Sequence, residues 1–321
     1  MRVIAIVNAL TGALCVQEMV DQGDDVVAVV TDPSDPNPRQ EPDWSVRAVA
    51  LRNHISVLQP VPAEVNSPGV VERLRRLQPD LIVAMHYGVI FKRPILEIPP
   101  LGCVNIHPTR LPWGQGKTPS CLHMLMGDER NWITLHFIDP GVDTGDVIAQ
   151  GSVPITADDT GHTSTIKLLR EGHRIFKENL PLLREGRAPR RPQKEITDIP
   201  TLYYCWEPHF ARIPWNQPAP KVALHVRALS HPKHIDTYSG VAYTHLAGHR
   251  VSIWQAQVAP ARPLPASTWR PGQILGLEPE GLMVQTGEGA VIISDLDVEG
   301  AAPGLAGLLP LLQPGLPAVF G

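Results

Sequence analysis

Four cysteines are spread over 321 residues, and no two of Cys15, Cys103, Cys121 and Cys205 form a C-x-x-C pair. That spacing gives neither a zinc ribbon nor a disulfide framework, so reduced thiols are expected. No apolar run reaches the roughly 20 residues that a spanning helix needs. The opening "MRVIAIVNALTG" is short, is followed by no cleavage signature, and reads as a first strand. Charge of one sign is not in excess: 28 Lys and Arg stand against 32 Asp and Glu, a net charge of -4. The pI near 6.3 then gives no global attraction to nucleic acid or to an anionic membrane. There is no P-loop, and the loop after the first strand, "NALTGA", lacks the glycine spacing that lets backbone approach a pyrophosphate. His225, His231, His234, His245 and His249 include no H-E-x-x-H and no cysteine at ligand spacing, so no metal is expected. These absences leave a cytoplasmic protein with a small partner and no membrane.

What is present is a strand and helix rhythm. At 43% hydrophobic residues the chain can fill two cores, because single cores stop growing at about 250 to 300 residues. "RVIAIV", "DVVAVVTD", "ISVLQP" and "DLIVAMH" read as strands, and "GALCVQEMVDQG", "WSVRAVALRNH" and "VVERLRRLQ" as the helices between them. Val- and Ile-rich strands alternating with helices imply βαβ units and a mostly parallel, Rossmann-like α/β sheet covered on both faces. "GCVNIH" and "WITLHFID" are two further strands bracketing a helix at "TPSCLHMLMGDE", and 160–185 is a long helix. "EGRAPRRPQKE" is rich in proline and charge without periodicity and reads as a linker. Beyond it, "AYTHLAGHRVSIWQAQV" and "GQILGLEPEGLMVQTGEGAVIISDLDVEG" alternate apolar and polar residues between glycine turns. That pattern predicts a small, OB-like β-barrel or open β-domain, with one helix at 219–229. The predicted boundaries are 1–186, a linker over 187–206, and 207–321.

The chemistry gathers in "VNIHPTRLPWGQGKTPS". In an extended strand, Asn105 and His107 share a face. They end a strand, where open α/β sheets bind ligands. In "FIDPGVDTGDVI", Asp139, Asp143 and Asp146 follow another strand. A carboxylate reaching His107 would orient the ring and favour its protonated form, and the Asn105 carboxamide could donate to a developing oxyanion. Asn, His and Asp together suit acyl transfer without a covalent enzyme intermediate. Asp146 reads as a turn residue, and His136 fits a structural role as well as a site role.

"NIHPTRLPWGQGKTP" followed by "GVDTGDVI" resembles the signature of the formyltetrahydrofolate-dependent formyltransferase family. "DLIVAMHYGVIFKRPIL" is similar to the strand and loop before that site, and "IPWNQPAPKVALHVRALSHP" to the start of the family's C-terminal barrel. The resemblance implies a folate-binding catalytic domain over 1–186, with 10-formyltetrahydrofolate as formyl donor and no metal. It implies that Asn105 and His107 flank the formyl carbon, that Asp143 pairs with His107, and that Asp143 or a water takes the proton of an attacking amine. It places the pterin between Val89, Ile90 and Phe91 and the turn Asp139, Pro140, Gly141 and Val142. The resemblance also implies that Lys117 approaches the folate or the acceptor. The loop departs from the family's usual Ser-Leu-Leu-Pro and Tyr-Arg-Gly-like triplet, so Thr109, Arg110 and Gln115 are candidates for acceptor binding, Arg110 and Lys117 toward a phosphate or carboxylate.

The resemblance leaves the acceptor open. A small amine, such as an amino sugar nucleotide or an amino-acid-derived metabolite, is one reading. Methionyl-tRNA is a second, and a 10-formyltetrahydrofolate hydrolase or folate-binding protein a third. Transfer RNA needs basic residues along its path. In "DPSDPNPRQEPD", Asp32, Asp35, Glu41 and Asp43 outnumber Arg39, and only Arg184, Arg187, Arg190, Arg191 and Lys194 form a basic stretch. On charge, the small amine is favoured and tRNA is the alternative.

Overall fold

The computed structural model describes residues 1–36, 41–235, 237, 239–260, 269–312 and 318–321. In chain order its first half contains β1 (Arg2–Val7), α1 (Ala9–Asp21), β2 (Asp25–Val30), α2 (Val46–Arg52), β3 (Val57–Leu58), α3 (Pro68–Arg76), β4 (Leu81–Met85), α4 (Arg93–Leu96) and β5 (Cys103–His107). Then come β6 (Trp113–Lys117), α5 (Leu122–Met126), β7 (Arg130–Phe137), β8 (Val147–Pro154), α6 (Gly161–Arg184) and β9 (Leu202–Cys205). The second half holds α7 (Ala219–Ala228), β10 (Tyr243–Leu246), β11 (His249–Val258), β12 (Ile274–Glu278), β13 (Gly281–Gln285), β14 (Ala290–Val298) and α8 (Leu305–Leu308). Among the described residues no helix is long and apolar enough to cross a membrane.

A seven-stranded sheet runs in the order β3-β2-β1-β4-β5-β7-β8. The first five strands are parallel, and β7 and β8 are antiparallel additions. Both faces are covered: on β1, Val3, Ala5 and Val7 belong to one buried cluster and Ile4 and Ile6 to the other. This is why the strand reads as a continuous apolar run. Strand order reverses between β1 and β4, and a crevice at the carboxyl ends follows from that reversal. Ser45 caps α2 through Ala48 N at 3.0 Å. Asn8 stands at the N-cap position of α1, yet its amide reaches instead to β2 and β4.

The structure adds to what the sequence pattern suggests. "WGQGK", which lacks a strand's alternation, is strand β6 and pairs in parallel with β9. The segment 187–206 is more than a tether: Arg191 bridges Val147, Gln193 is buried, and β9 lies at its end. One compact unit comprises Met1–Leu122, Arg130–Pro154 and Thr165–Cys205; the other comprises His123–Glu129, Ile155–Ser164 and Trp206–Gly321. The second unit therefore takes two short pieces from the first half. His162 N donates to Ser230 O at 3.1 Å, and the Arg227 guanidinium donates to Thr156 O and Asp159 O, each at 3.1 Å.

The second unit carries an antiparallel five-stranded sheet, β10-β11-β14-β13-β12. Its Pro- and Leu-rich tail has no usable period in the sequence. Residues 318–321 nonetheless bridge the two edge strands: Ile274 N donates to Ala318 O at 2.9 Å, and His245 and Gly321 exchange backbone bonds of 3.0 and 2.9 Å. Phe320 stacks on Trp215 with centroids 5.6 Å apart. Edge backbone groups that would otherwise face solvent are paired in this way, so the sheet curls toward a barrel.

Candidate active site

Alternation along β5 sets the site. Val104 and Ile106 enter one core cluster and Cys103 the other, which leaves Asn105 and His107 on one face at the strand's carboxyl end. Asp143 arrives from the turn after β7. Its φ of 54° is left-handed, a conformation that Asp and Asn tolerate better than most residues. Gly145 two residues on has no room for a Cβ, which would strike Phe137 O.

The Asp143 carboxylate is the hub. Oδ2 accepts from Gly116 N at 3.0 Å and lies 3.6 Å from His107 Nδ1. Oδ1 accepts from Asn105 Nδ2 at 3.4 Å and lies 3.6 Å from His136 Nε2. His107 Nε2 donates to Gly114 O at 2.7 Å, so Nδ1 is the nitrogen turned toward Asp143. Thr118 Oγ1 lies 3.4 Å from the same Nε2.

His136, across the β5–β7 ladder from Asn105, joins this group. Its Nδ1 donates to Phe137 O at 2.7 Å, leaving Nε2 to accept from Asn105 Nδ2 at 3.2 Å. Burial pushes its pKa from 6.5 down to about 4, with Asp143 opposing the shift and His107 adding to it. His86, just after β4, is also lowered to about 4, by burial and then by the charge on His107. Both folded pKa values lie below the unfolded one, so the unfolded chain binds the extra protons. Stability therefore rises with pH through the window from about 4 to 6.5. We expect the urea midpoint to fall between pH 7 and pH 5, and His136→Asn to flatten that dependence. A pH-independent midpoint in the native chain would show that neither histidine is held neutral.

Around this hub the other candidates divide. Phe91 is buried in the core and Val89 packs against it, whereas Ile90 is 62% exposed. Asn66 pins this loop, donating to Ile90 O at 3.0 Å and accepting from Lys92 N at 2.9 Å. Asp139 closes its own turn by accepting from Gly141 N at 3.0 Å and Thr144 Oγ1 at 2.6 Å. Pro140 and Val142 lie in the same turn, and Lys117 is the exposed end of β6. Thr109, Arg110 and Gln115 serve the loop itself. Thr109 is buried and donates to Gly114 O at 3.2 Å, and Arg110 pairs with Asp198 at 2.9 Å while lying 4.5 Å over the Trp132 ring. Gln115 donates to Gln193 Oε1 at 2.9 Å. Gln193, from the segment read as linker, donates on to Asp143 O at 2.7 Å and Gly145 O at 2.8 Å. The bond between Leu111 and Pro112 is cis. Among the described residues no group of three His, Cys, Asp or Glu is arranged to hold a metal ion.

The Formyl transferase family profile matches residues 1–180, and that of the Formyl transferase C-terminal domain matches 207–304. The chain belongs to the formyl transferase family. It is 33% identical to methionyl-tRNA formyltransferase of Desulforamulus reducens, over 94% of this chain and 91% of that one. This formyl transferase also shares its fold with an N-formyltransferase from Helicobacter canadensis solved with folinic acid and dTDP-3-aminofucose. There the TM-score is 0.62 at 17% identity, covering 91% of this chain and 98% of that one. Methionyl-tRNA formyltransferase from Clostridium thermocellum gives 0.55 at 16% identity, over 81% and 94%. The α/β first unit and the curled antiparallel second unit of this formyl transferase are the family's fold.

Of the residues singled out in the sequence, Asn105, His107 and Asp143 do meet. His136, which the sequence leaves open between a structural and a site role, joins them, whereas nothing in the sequence marks Gln193 or His86. For His136 the signal was its place at the end of a strand next to β5, which only the register makes decisive.

Proposed function

We propose that the chain moves the formyl group of 10-formyltetrahydrofolate onto a primary amine, and that this amine is the amino group of methionyl-tRNA. The observation that carries the acceptor is the likeness to methionyl-tRNA formyltransferases over 94% of the chain, second unit included. It weighs against the charge argument, which favoured a small amine. The exposed Ile90 and the polar turn at 139–142 suit a flat, hydrogen-bonding donor.

In the proposed reaction the amine nitrogen forms a bond to the formyl carbon, and the bond from that carbon to N10 breaks. Asn105 Nδ2 can give up its longer contact, the 3.4 Å one to Asp143, and donate to the oxygen that gains charge. Asp143 takes the amine's proton, and His107 Nδ1, 3.6 Å from the same carboxylate, helps to orient it. The proton finally reaches N10 of the departing tetrahydrofolate.

One observation favours a small amine instead. Asp32 and Asp35 lie at the carboxyl end of β2, while arginines of the basic stretch are paired within the protein: Arg184 with Asp24, Arg187 with Glu185 and Arg190 with Asp146. Arg39, counted in the acidic loop, lies outside the described residues. Release of tetrahydrofolate, followed by absorbance, separates the readings when charged initiator tRNA is compared with amino sugar nucleotides and amino acids. We expect turnover that requires the charged tRNA and weakens steeply with salt. Preference for one small amine would transfer the assignment to the second reading, acceptor-free release would make the protein a hydrolase, and no turnover at all would overturn the proposal.

A further inference from the structure

Just past the carboxyl end of β4, beside the strand-order reversal, stand two adjacent polar side chains to which the chemistry above gives no role. Nε2 of His86 and the hydroxyl of Tyr87 are both shielded from solvent, and neither has a hydrogen-bond partner among the described residues. Buried polar atoms are nearly always satisfied, so two consecutive exceptions at one point need a reason.

The backbone there is built with some effort. His86 has a φ of 52°, left-handed for a residue with a Cβ, and such strain persists only where the surroundings impose it. Asn8 does so: its N donates to Met85 O at 2.9 Å and its Nδ2 to His86 O at 3.2 Å. Its Oδ1 accepts from Thr31 Oγ1 at 2.8 Å and Asp32 N at 3.0 Å. One amide thus ties together the carboxyl ends of β1, β2 and β4, and the α1 N-terminus goes without a side-chain cap.

The place is next to the formyl-transfer cluster. β4 and β5 pair up to Met85 and Ile106, so His86 and His107 are the next residues on neighbouring strands. Burial is the main cause of both shifts: it lowers His86, with His107 adding to it, and it raises the Tyr87 phenol to about 12, with the charge of Asp32 adding to it. Both side chains are therefore uncharged at neutral pH, and Tyr87 lies within reach of the Asp32 charge. A neutral donor and acceptor pair with a nearby anion suits an amine or a hydroxyl and disfavours a phosphate.

We propose that His86 Nε2 and the Tyr87 hydroxyl position the acceptor, holding its incoming amino group and the adjacent hydroxyl or N–H beside Asn105, His107 and Asp143. This rests on the amine-formylating function proposed above. The contact is the same whether the hydroxyl belongs to a ribose at a tRNA end or to a free amino sugar, and the acceptor panel separates those sources.

Tyr87→Phe and His86→Gly test it in the full chain. Phenylalanine keeps the ring and removes the orphan hydroxyl, so Tm should stay level or rise. Glycine adopts the left-handed backbone freely, so imidazole loss is separated from strain. We expect each variant to lower acceptor kcat/KM by about 10- to 100-fold, mostly through KM, as for a lost binding contact. Affinity for folinic acid should stay within about twofold, and His86→Asn, which tolerates the same φ and keeps a polar tip, should recover part of the loss. Should His86→Gly not fold, Tyr87→Phe decides alone. Unchanged kcat/KM in a wild-type-active assay overturns this inference and leaves the transfer reaction standing, as does a loss confined to folinic acid binding. A wild-type chain that formylates nothing in the panel overturns the function, and this inference with it.

Discussion

Asp143→Asn should lower kcat by about a thousandfold while the protein stays folded. The carboxylate accepts from Gly116 N and Asn105 Nδ2 and lies 3.6 Å from a nitrogen of each of His107 and His136, so both of its oxygens serve as acceptors. A carboxamide has one acceptor and one donor end. Either the Gly116 N–H or the Asn105 N–H must then face another N–H, and no charge remains opposite His107. Losing a positioned acid or base lowers rates by about 10² to 10⁴, which brackets the expected effect. Asparagine is the right replacement because it accepts the φ of 54°, whereas alanine adds strain to the loss of charge. The measurement is single-turnover formyl transfer at saturating acceptor, with folinic acid binding as the folding control. A kcat within tenfold of the parent, with binding retained, would remove Asp143 from the chemistry.

Much of this arrangement is legible in the amino-acid sequence, for physical reasons that also mark where legibility ends. A strand buried on both faces must be apolar throughout, so "RVIAIV" and "DLIVAM" announce themselves, and so does the period-two pairing of Asn105 with His107. Strand direction is different. β7 and β8 carry the same apolar content whichever way they run, so their antiparallel pairing is invisible until the register is known. β6 and β9 join through backbone bonds, and neither "WGQGK" nor "LYYC" alternates in a way that would advertise a ladder. His86 shows the same limit, since its left-handed backbone is tied at the carbonyl by Asn8, 78 residues away. Arg110 in the loop after β5 invites a reading by charge, yet it lies over Trp132 and against Asp198. A cation counted from sequence says nothing about which anion in the protein has already claimed it.

Gln193→Leu should destabilise the protein by roughly 3 to 5 kcal/mol and slow transfer as well, although position 193 lies in a stretch that composition marks as linker. Its side chain is 7% exposed and makes three bonds, to Asp143 O, Gly145 O and Gln115 Nε2. Leucine nearly preserves the volume and removes all three. Two carbonyls and one amide are then left buried without partners, each worth about 1 to 3 kcal/mol, and a broken network falls at the lower end of such sums when the loop can relax toward water. That relaxation is what reaches the chemistry. The two carbonyls belong to the turn that presents Asp143, so a shift of a few tenths of an ångström moves the carboxylate against His107 Nδ1, already at 3.6 Å. Exposed Lys194 supplies the control: Lys194→Leu should leave urea midpoint and kcat unchanged. Loss of stability in Gln193→Leu with full kcat in the folded fraction would mean that Asp143 is held by Gly116 and its own left-handed turn alone. Loss of both, in the same variant and not in the control, would make the 187–206 segment part of the active site's scaffold.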